Sequence, residues 1–363
     1  MGKAACLHLR DEYQAALTTL DEAEALASRQ AAVAERARIA YLRGNVLFPL
    51  GRLDECMASH QQALDGARHC GSLTLEAQAL SGLADAQYLR GRMQTAHELF
   101  CRCVDLARRH DLKQIEVNNL SMRGLTAMYL NRLEQGMEDN RCCIELAQQI
   151  GNRRAELSAR EILAMMLYFQ GELAAARGQV ERGLALAQGL GARRFEADCF
   201  GYLADIAAAQ GRREQALGLI ERALRLSGDD LAYMGAWFLG QMARYTPDKD
   251  KRRWALAEGR RILAAGAVGH NHIHFYENAI YSSIQQQDWA EAGRYAEALA
   301  RYTAAEPLPW AQLIIELGRA AASRGAGKAS GLDKLAQRYH RHGIHHVGAV
   351  LTDLAKGIES KAL

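Results

Sequence analysis

No stretch of this 363-residue chain is apolar for long enough to cross a bilayer. Arginine or glutamate interrupts every few positions, whereas a spanning helix needs ~18 or more apolar residues in a row. The N-terminus, MGKAACLHLRDEY, lacks the apolar core of a secretion signal, and Cys6 stands where an N-myristoylation pattern requires serine or threonine. An excess of one charge is missing too. The 45 lysines and arginines are balanced by 42 acidic residues, and the densest basic run, KDKRRW (249–254), is short for a phosphate track. The eight cysteines include no CxxC pair, which removes the common zinc and disulfide frameworks. GAGKAS (325–330) imitates a phosphate loop, but Ala322 replaces its first glycine, Ala329 follows the lysine, and a helical segment precedes it. No nucleophile elbow or zinc-protease helix occurs, and no constellation of acid, base and nucleophile emerges. These absences predict a cytoplasmic chain that is not an enzyme, holds no cofactor or metal, and binds neither nucleic acid nor membrane.

What the sequence does contain is a period. Gly51, Gly91, Asn131, Gly171 and Gly211 are spaced 40 residues apart, with Asp11 one period earlier; Gly71, Asp111, Gly151 and Gly191 keep the same spacing. Glycine, asparagine and aspartate tolerate the left-handed conformation that ends a helix. Two stops per period therefore predict two helices of about 17 residues, each ~26 Å long. Three columns of small residues run through the same register. Ala4, Gly44, Ala84, Gly124, Ala164 and Ala204 form the first; Ala16, Cys56, Ala96, Gly136, Ala176 and Ala216 the second; Ala23, Ala63, Cys103, Cys143, Gly183 and Ala223 the third. They mark places where helices must approach closely, and they make Cys56, Cys103 and Cys143 small packing residues.

The three-column pattern, clearest in RGNVLFPLGRLDECMASHQQAL (43–64), resembles the tetratricopeptide repeat (TPR). With VGHNHIHFYENAI, DWAEAGRYAEAL, AEPLPW and ALSGLADAQYLRGRM, it looks like the C-terminal TPR region of bacterial proteins in which a class III adenylate/guanylate cyclase domain precedes an AAA-type ATPase domain. More broadly it is similar to the MalT-like TPR regions of ATPase transcription factors. The resemblance implies an all-α fold, an α-solenoid of about eight to nine antiparallel helix pairs wound as a right-handed superhelix. Residues 1–228 carry the regular 40-residue repeats, 229–340 less regular ones, and 341–363 a C-terminal capping helix. By register, Met1 falls in the middle of a first helix, so an upstream segment or a partner is expected at that end.

The resemblance also implies a function: a regulatory module in signalling that binds a peptide or protein in its concave groove, lined by the first helix of each pair. The alternative is a small-molecule effector domain controlling an attached or partner ATPase or cyclase. In this sequence the inward positions fall on Arg38, Tyr41, Asn45, Gln78, Asp85, Tyr88, Asn118, Glu161, Tyr168, Asp198 and Asp205, continued by Trp237, Arg244, His274, Glu277, Tyr281 and Arg319. Asn45 matches the asparagine of the carboxylate-gripping TPR type, but Tyr41 stands in place of its lysine, so that mode is rejected. The acidic side chains favour a basic or neutral ligand.

Three histidines, His270, His272 and His274, form the only dense group of potential metal ligands outside RYHRHGIHH (338–346). Register places a helix start near 270, with Gly269 as breaker and Asn271 as N-cap. A helix turns His272 away from its two neighbours, so the three do not converge, and only His274, Glu277 and Tyr281 share a face.

Overall fold

The computed structural model describes residues 1–10, 12–228, 231–326 and 331–355. Every regular element among them is an α-helix, and none of these helices is long and apolar enough to cross a membrane. The chain divides into two compact units, Met1–Arg123 and Gly124–Leu363, with the boundary inside one helix. Unit one holds α1 (Gly2–Leu9), α2 (Tyr13–Arg29), α3 (Val33–Leu47), α4 (Leu53–Cys70), α5 (Leu73–Leu89), α6 (Met93–Arg109) and the start of α7 (Lys113–Tyr129). Unit two continues with α8 (Leu133–Ile150), α9 (Arg153–Gln170), α10 (Leu173–Leu190), α11 (Arg193–Ala209) and α12 (Arg213–Ser227). Beyond these come α13 (Gly235–Tyr245), α14 (Lys249–Ala264), α15 (Gly269–Gln285), α16 (Trp289–Thr303), α17 (Pro309–Gly325), α18 (Leu332–Arg341) and α19 (His345–Ala355).

The stops act as their spacing requires. Gly51, Gly71, Gly91, Gly151, Gly171, Gly191 and Gly211 all have left-handed φ, and Asp111 and Asn131 adopt φ 54° and 60° at the equivalent places. Asn152 then starts α9 directly, its side chain accepting from the Ala155 N–H at 3.1 Å. Such breaks of two to five residues turn the chain back on itself, and sequential helices pack as pairs throughout each unit. This is the α-solenoid class of all-α folds. Asp11 and positions 327–330, within the phosphate-loop look-alike, lie outside the described residues.

The small columns sit at the helix crossings. Ala16, Cys56, Ala96, Ala176 and Ala216 have no exposed surface, and neither do Ala63, Cys103, Cys143 and Ala223. Burial, reinforced by the Asp85 charge, pushes the Cys56 thiol up to about 11 and Cys103 to about 12, far from the thiolate that reactivity needs. The closest approach is between α7 and α8 in unit two. A Cβ on Gly136 would stand 2.6 Å from the Gly124 carbonyl oxygen, and one on Gly124 2.7 Å from that of Gly136. Backbone cannot swing aside as a side chain can. Gly136→Ala is therefore expected to cost about 1–3 kcal/mol despite the better helix propensity of alanine. A chemical-denaturation midpoint at or above wild type would show that the register is misplaced.

After α18 the chain turns at Gly343, with φ 76°, and α19 packs back against α9. Within the 341–363 segment the described helix is α19, and it lies against unit two. Positions 356–363 lie outside the described residues.

Candidate functional site

In unit two the first helices of successive pairs turn a set of aromatic and ionisable side chains inward. From α9 come Tyr168 and Phe169, from α11 Tyr202 and Asp205, from α13 Trp237 and Arg244, and from α15 His274, Glu277, Asn278 and Tyr281. The remaining wall is α19, through His346, Val347 and Val350. His346 lies 5.0 Å, centroid to centroid, from the Tyr168 ring. The space left inside is about 30 Å³, enough for one or two waters but not for a metabolite.

The aromatic wall is continuous. Tyr202 meets Trp237 at 4.9 Å and Phe169 meets Trp310 edge-on at 4.7 Å, between ring centroids. Arg244 is the cation at its centre, only 6% exposed. Its Nη1 donates to Asn278 Oδ1 at 3.3 Å and stands 3.8 Å from Asp205 Oδ1. Its guanidinium carbon lies 5.0 Å from the Tyr281 ring and 5.2 Å from that of Tyr245, within cation–π reach. Its Nε has no hydrogen-bond partner. Asp205 accepts from the Tyr245 hydroxyl, and burial raises its pKa even though Arg244 and Tyr245 pull the other way. Burial likewise pushes the Tyr168 phenol up to about 12. Glu277 accepts from Tyr281 at 3.0 Å and stands 3.7 Å from His274 Nδ1. His274 Nε2 in turn is hydrogen-bonded to the Tyr129 hydroxyl at 2.8 Å. Two carboxylates thus face one guanidinium in a nearly closed aromatic box. No nucleophile stands beside a base, and the arrangement suits recognition more than bond-breaking.

Seven of the inward positions expected from register line this one cavity: Tyr168, Asp205, Trp237, Arg244, His274, Glu277 and Tyr281. Glu161 and Asp198 form a buried acidic pair nearby on α9 and α11, where Cys199 donates to Glu161 at 3.2 Å. Desolvation raises both carboxyls, with Asp198 reaching about 7. Arg319 is turned elsewhere, exposed and paired with Glu297 of α16 at 2.8 Å. In unit one, Asn45 and Asp85 line a separate recess of about 440 Å³ with His8, Tyr13, Phe48, Pro49, His60 and Gly82. Tyr88 is buried, Tyr41 and Gln78 are half-buried, and Arg38 and Asn118 are exposed; none of these five lines the recess.

The three histidines take three different partners. His270 Nε2 donates to the Tyr233 carbonyl at 3.0 Å, His272 stacks on Tyr302 at 3.8 Å, and His274 meets Tyr129. Burial lowers the His270 and His272 pKa values to about 3 and about 4. The N-cap assignment of Asn271 is corrected. Helix α15 begins at Gly269 after Val268, and Asn271 is buried inside it. Its side chain accepts from the Trp237 N–H at 3.2 Å and donates to the Tyr233 carbonyl, tying α15 to the entry of α13. A polar residue near a helix start suits a cap locally; here a neighbouring helix end in need of an acceptor captured it.

Register did not single out His346, Val347 and Val350, because a final helix outside the period carries no inward positions. Nor did it single out His60, although a signal was present. Its column reads Leu20, His60, Phe100, Asn140, Val180, Ile220, so an imidazole replaces an apolar residue there.

Comparison with known proteins agrees with this architecture. Residues 35–109 match the tetratricopeptide repeat family model. No curated protein matches the chain. Among solved structures, the apo form of RapI is similar over 73% of this chain and 97% of its own, with TM-score 0.61 and 14% identity. A Rap protein complexed with competence and sporulation factor is similar over 75% and 76%, with TM-score 0.63 and 14% identity. The Rap conjugation gene regulator of plasmid pLS20, complexed with the Phr* peptide, covers 90% and 94%, with TM-score 0.53 and 9% identity. Identities this low establish a shared fold.

Proposed function

We propose that this chain is a non-enzymatic regulatory module that binds a peptide or helical protein segment on the inward face of its first helices. In unit two, α19 holds that position as an internal occupant. The seating of α19 carries the reading. A helix of 11 residues, HHVGAVLTDLA, places His346, Val347 and Val350 against inward side chains of α9, α11, α13 and α15. A surface that accepts one short apolar helix in cis has the shape and chemistry to accept another in trans. A similar fold holds the Phr* peptide in one solved structure and competence and sporulation factor in another, which supports a peptide as ligand. The space left in the cavity, about 30 Å³, is too small for a metabolite, which favours this reading over an effector-sensing domain. A signalling context, with an attached or partner cyclase or ATPase as the output, belongs to the same proposal and rests on the sequence resemblance.

The test uses a labelled synthetic peptide of residues 343–355 titrated into the full chain carrying Val347→Asp and Val350→Asp, which vacates the groove. Binding at least tenfold tighter than to wild type, and lost when Trp237→Ala is added, is the expected result. Equal binding to both chains, or none to either, would overturn the reading.

Docking of α19 is also expected to depend on pH. Burial, with Arg244 adding repulsion, lowers the His346 pKa from 6.5 to about 4, and its Nε2 has no hydrogen-bond partner. The undocked helix binds a proton near pH 6.5 that the docked one refuses until about pH 4. Docking is therefore strongest above pH 6.5 and weakens as pH falls through that window. Asp205 moves oppositely, because burial raises its pKa. The His346 contribution is the part that His346→Gln removes. Amide exchange in α19 should accelerate between pH 6.5 and pH 5 in wild type, after correction for intrinsic rates, and change less in His346→Gln. An identical profile in both chains would exclude His346 as the titrating group.

A further inference from the structure

The recess in unit one is a built site, and its construction departs from the repeat in two correlated places. His60 takes a column position held by Leu20, Phe100, Val180 and Ile220 in other repeats and by Asn140 in one. Gly82 takes one held by Leu42, Met122, Ile162 and Tyr202. The two departures meet in space. A Cβ on Gly82 would stand 2.6 Å from His60 Nδ1, and one on Gly44 2.6 Å from His60 Nε2. The imidazole thus lies flat between the backbones of α3 and α5, in room made by glycine. A mid-helix glycine weakens a helix, and a buried ring nitrogen without a partner carries an uncompensated desolvation cost. His60 is 1% exposed and its Nδ1 has no hydrogen-bond partner. Leucine with leucine, as elsewhere in the columns, would have removed both costs.

The ligand chemistry follows from what faces the recess. Asp85 is its one carboxylate, and no lysine or arginine lines it. Asp85 makes no hydrogen bond or ion pair with a described residue. Its negative field is felt by the Cys56 and Cys103 thiols, and without a partner its own carboxyl is pushed by burial up to about 7. Burial holds His60 neutral, its pKa lowered to about 4, so one ring nitrogen accepts a hydrogen bond. Tyr13 and Phe48 add aromatic surface, and Asn45 an amide. A carboxylate, a neutral imidazole acceptor and aromatic walls together match a group that is cationic, donates several hydrogen bonds and stacks.

We infer that the His60–Asp85 recess binds a guanidinium or alkylammonium group presented by a peptide partner. Asp85 supplies the counter-charge, His60 the buried acceptor, and Tyr13 with Phe48 the flanking surface. This deepens the peptide-binding reading but uses a site in unit one that shares no residue with the α19 groove.

The test measures affinity of the full chain for an acetylated, amidated Gly-Gly-Arg-Gly-Gly peptide and for the same peptide with citrulline, the neutral isostere, replacing arginine. Free agmatine serves as a third probe. The arginine peptide is expected to bind at least tenfold tighter than the citrulline peptide and tighter than agmatine, and Asp85→Asn should erase the preference for arginine. Equal binding of the arginine and citrulline peptides to wild type overturns the inference, as does no binding of any probe at millimolar concentration, or a preference that survives Asp85→Asn. Agmatine binding as tightly as the arginine peptide would overturn the peptide as source. The wild-type comparison needs no variant and stands even if Asp85→Asn folds poorly. Binding of the 343–355 peptide to the vacated unit-two groove is measured in parallel; its failure would sink that reading and leave this one standing.

Discussion

Replacing both Val347 and Val350 with aspartate is expected to release α19 from unit two. Each valine is about 4% exposed, and each would bring a carboxylate into a box that already holds Asp205 and Glu277. Burying an unpaired charge costs several kcal/mol, and like charges nearby add to that cost. The helix can leave instead, so the penalty is limited to the free energy of docking. Two valines at about 1.5–3 kcal/mol each set that at about 3–6 kcal/mol before ordering entropy is subtracted. The α19 amides should then exchange at nearly the rate of an unstructured chain, while those of α9 and α11 stay protected. Trp237, 4% exposed in the docked state, should show red-shifted emission on exposure to water. Protected α19 amides in the double variant would show that the helix is held by something other than its valines.

The second large effect is a reversal of sign at Gly82. In an ordinary solvent-facing helix, glycine to alanine stabilises by about 0.5–1 kcal/mol. Here the added methyl would land on the His60 ring, which Gly44 blocks from the other side. Overpacking of this kind costs about 1–3 kcal/mol, so Gly82→Ala is expected to destabilise. In a His60→Ala background the obstruction is gone, and the same substitution should stabilise. The resulting coupling, about 2–3 kcal/mol, lies at the upper end of what contacting residues show. Urea midpoints of the four chains measure it directly. A coupling near zero would mean that the glycine does not exist to admit the imidazole and that the recess is not a built site.

Much of the fold is legible in the sequence because helix ends and helix crossings obey local rules. Asn131 and Asp111 stand where glycine stands in other repeats, and they share its left-handed φ. Cys103 and Cys143 stand where alanine does, and they are as buried. The period also places Tyr168, Asp205, Trp237 and Arg244 on the first helices of successive pairs, and the structure gathers them around one cavity. Asn271 shows where local rules stop: its start-of-helix position suggested a cap, but the unsatisfied entry of α13 claimed its amide.

The sequence by itself determined the helix pairs, their length and the close-packed columns. All of these follow from periodicity and from the conformational limits of glycine, asparagine and small residues. Only the tertiary structure decided that α19 turns back onto α9 and nearly fills the cavity. A non-repeating terminal helix has no register, and its docking depends on the shape of a surface that exists only after the repeats have stacked. The same holds for His60: the column shows that it is unusual, but only packing shows Gly44 and Gly82 making room for it and Asp85 facing the recess beside it without a counter-charge.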